Sequence, residues 1–170
     1  EQKQRQYYSP FFETVFNQLS NYSGLESSRD TLTRYPVKYV IISDRMFESQ
    51  LQPFITWKTQ KGFLVETYYT DEIGTSNTAI KAHIQSLYEG GTPQDPAPSF
   101  VLFVGDAGEI PPFSGSAGSH ITDLRFCEFT NDDFPEIYYG RFSAQNAADL
   151  QPQIDKTLEY ERYEMPDPSY

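Results

Sequence analysis

The stretch Val37-Lys-Tyr-Val-Ile-Ile-Ser43 is an almost unbroken run of β-branched and aromatic residues. Such a run is typical of a strand that is buried on both faces, as strands within a parallel sheet are. Comparable runs recur further along the chain, at Phe63 to Thr70, Ser99 to Gly105 and Glu136 to Phe142. The sequence therefore predicts four strands.

The segments that follow these strands carry apolar residues at helical spacing. The first predicted helix ends near Gly62, a residue type common at helix ends. A second begins at a cap formed by Thr75 or Ser76 and ends at Gly90-Gly91, and a third is capped by Ser143. Their apolar faces consist of Phe47, Leu51, Phe54 and Ile55; of Ile80, Ile84, Leu87 and Tyr88; and of Leu150, Ile154 and Leu158. Because strands alternate with helices, we predict an α/β fold with a mostly parallel four-stranded sheet and helices on both faces.

The first 34 residues differ in character from the rest of the chain. Ser9-Pro10 suits the start of a helix, because serine caps helices and proline is tolerated in the first turn. Apolar residues then follow at helical spacing over residues 10–20, whereas residues 20–34 are polar and predict a linker. We therefore expect two parts: an N-terminal helical arm in residues 1–34, a candidate propeptide tail, and an α/β subdomain in residues 35–170.

Charge and composition exclude several classes of partner. The 170 residues carry a formal net charge of -11, and an acidic surface repels nucleic acid and anionic membranes. No apolar run approaches the roughly 20 residues that a membrane-spanning helix needs. Cys127 is the single cysteine, so an internal disulfide is impossible. We expect neither a nucleic-acid partner nor a membrane span.

Six separate stretches between Tyr35 and Tyr170 are distinctive: Phe54-Ile-Thr-Trp57-Lys58-Thr-Gln-Lys61-Gly62-Phe63, Tyr69-Thr-Asp71-Glu72, Asn77-Thr-Ala-Ile80-Lys81, Val101-Leu-Phe-Val-Gly105-Asp106, Phe134-Pro-Glu136-Ile-Tyr-Tyr-Gly140-Arg141 and Ile154-Asp155-Lys-Thr-Leu-Glu159-Tyr160-Glu161. In this order they resemble the N-terminal subdomain of gingipains, the cysteine peptidases of family C25. The resemblance implies a caspase-like architecture of two α/β subdomains side by side. This chain would be the first subdomain, a scaffold.

The resemblance also implies where the catalytic residues of such a peptidase lie. In the family, the histidine and the cysteine belong to the second subdomain, in a His-Gly motif and an Asn-Cys motif. Here His83 is followed by Ile84, His120 ends a loop rich in Gly and Ser, and Cys127 is preceded by Phe126, so neither motif occurs. We expect Cys127 to be a small apolar side chain near the sheet, and the chain alone to be inactive. Its expected partners are the C-terminal catalytic subdomain and, for the whole secreted or cell-surface endopeptidase, protein and peptide substrates.

A group of acidic residues suggests a cation site. In an extended segment Asp132 and Glu136 would point the same way, and Asp106 follows the neighbouring predicted strand. Hard cations such as Ca²⁺ bind carboxylates together with backbone carbonyls. The alternative is a solvated acidic loop. The resemblance implies a structural calcium held by the side chains of Asp106, Asp132 and Glu136 and by the carbonyl oxygens of Phe129 and Phe134.

Two other functional classes stay open. One is a non-catalytic surface or binding module that retains the peptidase scaffold. The other is a flavodoxin-like regulatory domain in which Asp44 and Asp71, both at strand ends, would have a functional role. A receiver-like domain of that kind needs an acidic pair after the first strand and a fifth strand, whereas the sequence has Ser43-Asp44-Arg45 and no fifth run. Solvated turn residues are the favoured interpretation of Asp44 and Asp71.

Overall fold

A computed structural model of the chain describes residues 36–115 and 120–164. The predicted N-terminal helix and linker of residues 1–34 lie outside the described residues, so the division at residue 34 stays a prediction. In chain order the elements are β1 (Val37–Ser43), α1 (Glu48–Gln60), β2 (Phe63–Tyr69), α2 (Thr70–Ile73), α3 (Asn77–Glu89), β3 (Pro98–Val104), β4 (Phe113–Ser114), β5 (Ile121–Thr122), β6 (Tyr138–Phe142) and α4 (Ala147–Arg162). Short 3₁₀ turns lie at Arg45–Phe47 and Leu124–Phe126.

The main sheet has four parallel strands in the order β2-β1-β3-β6. Ile41 of β1 lies opposite Thr67 of β2 and Leu102 of β3, and Leu102 lies opposite Gly140 of β6. The run that starts at Val37 therefore forms an interior strand, which explains its β-branched composition. The predicted α/β class and the mostly parallel four-stranded sheet are confirmed.

Helices cover both faces of the sheet. Successive side chains of β1 point to opposite faces, so they pack alternately against the helices on one side and on the other. Val40 and Ile42 belong to a buried cluster with Ile80 of α3. Ile41 belongs to the opposite cluster, with Leu51 of α1 and apolar side chains of α4. All five side chains are fully buried, and burying an aliphatic side chain of this size contributes about 2 kcal/mol.

One predicted helix cap is confirmed and another is wrong. Ser76 caps α3, where its hydroxyl oxygen accepts a hydrogen bond from the Ala79 N–H at 3.2 Å. Helix α4 is capped by Asn146 rather than by Ser143, through two backbone N–H groups of the first turn at 2.9 and 3.1 Å. Helix α4 begins at Ala147, so Ser143 lies too far before its first turn to cap it, and the Ser143 hydroxyl donates to the Asp106 carboxylate.

The sequence also missed a small hairpin. The Gly- and Ser-rich loop that ends at His120 contains β4, which pairs antiparallel with β5 and places Phe113 opposite Thr122. The Phe113 ring centroid lies 4.9 Å from that of Phe126, edge to face. This contact anchors the hairpin on the core, although the Gly- and Ser-rich sequence around it gives no strand pattern.

Strand β6 is at the open edge of the sheet, since β3 is the one strand paired with it among residues 36–115 and 120–164. Tyr139 of β6 is 39% exposed. Edge strands with unpaired backbone groups recruit other chains. We therefore predict that the isolated chain forms dimers or larger species at moderate concentration, measured by light scattering after size-exclusion chromatography.

A matched pair of lysine substitutions tests this prediction. A side chain at Gly140 would meet no atom within 4 Å of its Cβ, so Gly140→Lys places a charge on the edge without a clash and should reduce association. Gln151→Lys adds the same charge to an exposed position of α4 and should leave association unchanged. A monodisperse wild-type monomer, or equal effects of the two lysines, would contradict the role of the edge.

Candidate functional site

The carboxyl ends of β3 and β6 meet in a network around Asp106. Its carboxylate accepts hydrogen bonds from the Ser143 hydroxyl at 2.9 Å and the Gln145 amide at 2.8 Å. Its N–H donates to the Ala144 carbonyl at 2.9 Å. The hydrogen bonds from Gln145 and Ser143 hold the pKa of Asp106 below its usual range. Asp106 therefore fixes the connection between β6 and α4 to the end of β3.

Arg141 of β6 makes a second network at the same edge. Its Nε and Nη2 donate to the two carboxylate oxygens of Asp123 at 2.8 and 2.7 Å. Its Nη1 donates to the carbonyl oxygens of Gly105 at 2.8 Å and of Ile110 at 3.3 Å. A cavity of about 180 Å³ lies between these segments, with Asp106, Asp123 and Arg141 in its wall. In open parallel α/β sheets, ligands bind at this edge, so it is the candidate functional site.

The other strand-end carboxylates have structural partners. Asp44 accepts a hydrogen bond from the Met46 N–H at 2.8 Å and so caps a 3₁₀ turn. Asp71 pairs with Arg45, whose Nε lies 2.6 Å from a carboxylate oxygen, and the hydrogen bonds from Arg45 lower the pKa of Asp71. Both carboxylates are at least partly solvated. This agrees with the interpretation of Asp44 and Asp71 as turn residues.

Two of the predicted calcium ligands lie in the loop before β6. Glu136 accepts hydrogen bonds from the Phe129 N–H and the Thr130 hydroxyl, each at 2.6 Å. Asp132 accepts one from the Phe134 N–H at 3.1 Å. The loop of residues 128–136 is thus folded around its own carboxylates.

Asp106 does not join this loop, contrary to the expectation. Strands β3 and β6 are parallel, with Phe100 opposite Tyr138 at their start and Val104 opposite Phe142 at their end. Glu136 precedes the start of that pairing and Asp106 follows its end, so a stretch of five residue pairs, about 13 Å long, separates their chain positions. The five predicted ligands therefore cannot surround one ion. Within the described ranges no three His, Cys, Asp or Glu side chains are placed to hold a metal.

The side chains of Asp132 and Glu136 do not alternate as predicted, for a local reason. Alternation requires an extended segment, whereas Asn131 and Asp133 have φ values of 59° and 65°. Left-handed residues turn the chain, and β6 begins only at Tyr138 rather than at Glu136. The side chains of this loop consequently do not alternate between two faces.

Cys127 and His83 are both placed as structural residues. Cys127 is fully buried in the cluster on the α3 side of the sheet. Burial, followed by the nearby Asp123 and Glu136 carboxylates, raises the pKa of its thiol. The His83 ring packs edge to face on Tyr68, with centroids 4.4 Å apart, and burial lowers its pKa. Catalytic cysteines need a lowered thiol pKa. Cys127 is instead an apolar core side chain, as predicted.

Several polar residues with tertiary partners have no signal in the local sequence. Arg141 lies within a stretch of family resemblance but has no role predicted from the sequence, and Asp123 has none either. Lys38 pairs with carboxylates that are distant in the sequence, and Glu161 pairs with lysines that are distant in the sequence. Their bidentate or multiple contacts depend on tertiary pairing, for which the local pattern gives no signal.

Comparison with known proteins places this arrangement in one family. The family model described as "Peptidase family C25" matches residues 32–169. Lys-gingipain of Porphyromonas gingivalis is 40% identical over 165 residues, which covers 96% of this chain and 10% of that protein. Gingipain R2 of strain W83 of the same organism is 30% identical over 127 residues, 74% of this chain and 17% of the relative.

Solved structures agree with the sequence comparison. A structure described as "Structure of Protease" superposes with a TM-score of 0.75 at 40% identity and covers 81% of this chain and 31% of its own. The crystal structure of the Arg-specific cysteine proteinase gingipain R gives a TM-score of 0.66 at 27% identity, covering 75% of this chain and 29% of its own. The chain spans about a tenth of the Lys-gingipains that it matches. It belongs to peptidase family C25 and corresponds to part of a gingipain peptidase domain.

Proposed function

We propose that this chain is the scaffold subdomain of a secreted gingipain-like cysteine endopeptidase, and that another segment of the protein supplies the catalytic histidine and cysteine. The observation that carries the proposal is the placement of Cys127. Its thiol is fully buried and its pKa is raised, which is the reverse of what a nucleophile requires. The chemistry of the whole protein would be attack of a thiolate on the scissile carbonyl.

The extent of the structural match supports a protein in which one subdomain is the scaffold and another carries the catalytic residues. This chain corresponds to 31% and 29% of the two solved protease chains. Its described residues form a buried apolar cluster on each face of the sheet, and its edge strand, β6, offers a side beside which a second subdomain can pack. We take the C-terminal catalytic subdomain of the same protein to be its partner, and peptides to be the substrate of the whole.

Secretion is part of this proposal and rests on the family resemblance. No helix in the described residues has the length and apolar character to cross a membrane. The acidic charge of -11 disfavours nucleic acid as a partner.

The proposal is tested on the full-length protein that contains this chain. Reaction with iodoacetamide under native conditions should inactivate the peptidase and label a cysteine outside residues 1–170, and Cys127→Ala should retain activity. Loss of activity in a folded Cys127→Ala variant would refute the assignment. A folded full-length protein that cleaves no peptide in a broad panel would instead favour the non-catalytic binding module.

The strand order β2-β1-β3-β6 also occurs in flavodoxin-like folds, but the carboxylates that such a regulatory domain would use have other partners. Asp71, which such a domain would use, is paired with Arg45. Asp44 caps a turn.

Calcium remains a proposal, now restricted to the loop of residues 128–136. Asp132, Glu136 and the carbonyl oxygens of Phe129 and Phe134 are close in sequence there, whereas Asp106 is at the other end of β6. Binding to the folded state alone at a hundredfold excess over Kd would stabilise by about 2.7 kcal/mol, which corresponds to a rise in Tm of roughly 5–10 °C for a chain of this size.

We therefore expect Ca²⁺ to raise the Tm measured by calorimetry, and a chelator to reverse the rise. Glu136→Gln should remove the response and Asp106→Asn should keep it. An equal response in the Glu136→Gln variant, or its loss in Asp106→Asn, would contradict the restricted site.

A further inference from the structure

The guanidinium of Arg141 joins three segments that are far apart in sequence. It lies on β6 and binds Asp123, which directly precedes the 3₁₀ turn Leu124–Phe126, and the carbonyl oxygens of Gly105 and Ile110 after β3. Its carbon centre also lies 5.6 Å from the Phe103 ring centroid. One side chain thus holds the loop after β3, the end of the β4–β5 hairpin and the edge strand in a single arrangement.

This ion pair is largely removed from water. The side chains of Arg141 and Asp123 are 15% and 18% exposed. A buried ion pair contributes little net stability compared with apolar residues of the same volume, because desolvation offsets the attraction. The bidentate geometry instead fixes the relative position of the two groups. The contribution of Arg141 is therefore mainly geometric.

The segment that Arg141 holds after β3 is also constrained from within. Gly105 has a φ of 137°, and a Cβ there would lie 2.8 Å from the Glu109 Cβ. The Asp106 N–H donates to the Glu109 carboxylate at 3.0 Å. Residues 105–110 therefore form a tight turn, which Arg141 ties to β6 through the carbonyl oxygens at its two ends. This turn borders the cavity at the carboxyl edge, where parallel α/β sheets bind their ligands.

We propose that Arg141 is a positioning residue of the peptidase: through Asp123 and the turn of residues 105–110, it holds the scaffold's side of the peptide-binding cleft in its binding-competent arrangement. The inference rests on the proposed function. It acts on substrate binding rather than on the chemical step, because the reacting thiolate belongs to another segment. A contact made equally in the bound substrate and in the transition state changes KM and leaves kcat unchanged.

Steady-state kinetics of the full-length protein tests the inference. Arg141→Lys keeps the charge but cannot bind Asp123 in a bidentate manner while also reaching two carbonyl groups. We expect its KM for a peptide substrate to rise about tenfold and its kcat to stay within about twofold of the wild type. Asp123→Asn should show the same split, because it removes the charge of the shared partner. Arg125→Lys, at an exposed arginine two residues from Asp123, should change neither constant.

The possible outcomes separate this inference from the function on which it rests. If the wild-type protein has no peptidase activity, the proposed function fails. If the wild type is active, either of two results overturns the role of Arg141 alone: unchanged KM in Arg141→Lys and Asp123→Asn, or a fall in kcat at unchanged KM. If Arg141→Lys does not fold, Asp123→Asn decides by the same criterion.

Discussion

Replacing Glu161 with alanine is expected to lower the free energy of unfolding by about 3 kcal/mol. Near the end of α4, the Glu161 carboxylate accepts hydrogen bonds from the Trp57 indole at 2.9 Å, the Lys58 ammonium at 2.6 Å and the Lys61 ammonium at 3.1 Å. Lys58 is 8% exposed and lies above aromatic rings. Removal of Glu161 would leave a nearly buried ammonium without a counter-charge. Urea unfolding followed by tryptophan fluorescence measures the loss.

Glu159→Ala is the matched control for Glu161, because Glu159 is exposed on the same helix. Its substitution should change the unfolding free energy by no more than about 0.5 kcal/mol. A loss in Glu161→Ala no larger than that of the control would contradict the account.

The stabilisation by Glu161 should also depend on pH. Burial opposes ionisation, but the hydrogen bonds from Lys58, Lys61 and Trp57 outweigh it and lower the pKa of Glu161. A carboxyl whose pKa is lower in the folded state stabilises the fold above its unfolded pKa, and that contribution disappears as the pH falls through the folded value. The difference in stability between the wild type and Glu161→Gln should therefore shrink as the pH is lowered below about 4.5.

A second large effect is expected at Lys38, which is 1% exposed at the start of β1. Its ammonium lies 3.2 Å from a Glu66 carboxylate oxygen on β2 and 2.5 Å from one of Asp95 in the loop before β3. Combining Glu66→Gln with Asp95→Asn leaves this ammonium buried without a counter-charge. We expect a loss of about 3–5 kcal/mol, measured by urea unfolding.

Lys38→Met distinguishes the effect of the buried charge on the free energy of unfolding from the effect of side-chain packing. In the doubly substituted background it should restore most of the stability, because it removes the unpaired charge and keeps the volume. In the wild-type background it should be destabilising, because Glu66, whose side chain is 28% exposed, and Asp95 lose the cation between them. If Lys38→Met fails to restore the double variant, the loss arises from packing of Glu66 and Asp95 rather than from the isolated charge.

The sequence predicted those parts of the fold that local pattern determines. The run at Val37–Ser43 and the cap at Ser76 depend on residues adjacent in the chain, and both are found where expected. The cap of α4 was wrong because Ser143 and Asn146 are both good capping residues, and the helix begins at Ala147, directly after Asn146.

The candidate site was less predictable because it depends on register. Asp106 and Glu136 both border neighbouring strands, and the sequence does not say at which end of the pair each lies. The parallel register of β3 and β6 separates them. The same edge instead brings Arg141 to Asp123, a pairing that needs the position of the β4–β5 hairpin, which the sequence did not indicate. Long-range polar contacts of this kind could therefore not be predicted from the sequence.

We propose that this chain supports a cysteine peptidase without containing its nucleophile. The most direct measurement is turnover of a broad peptide panel by the purified 170-residue chain, alone and as Cys127→Ala. We expect no turnover above background for either protein, because burial raises the pKa of the Cys127 thiol and keeps it from substrate. Turnover by the wild-type chain that disappears in a folded Cys127→Ala variant would contradict the account.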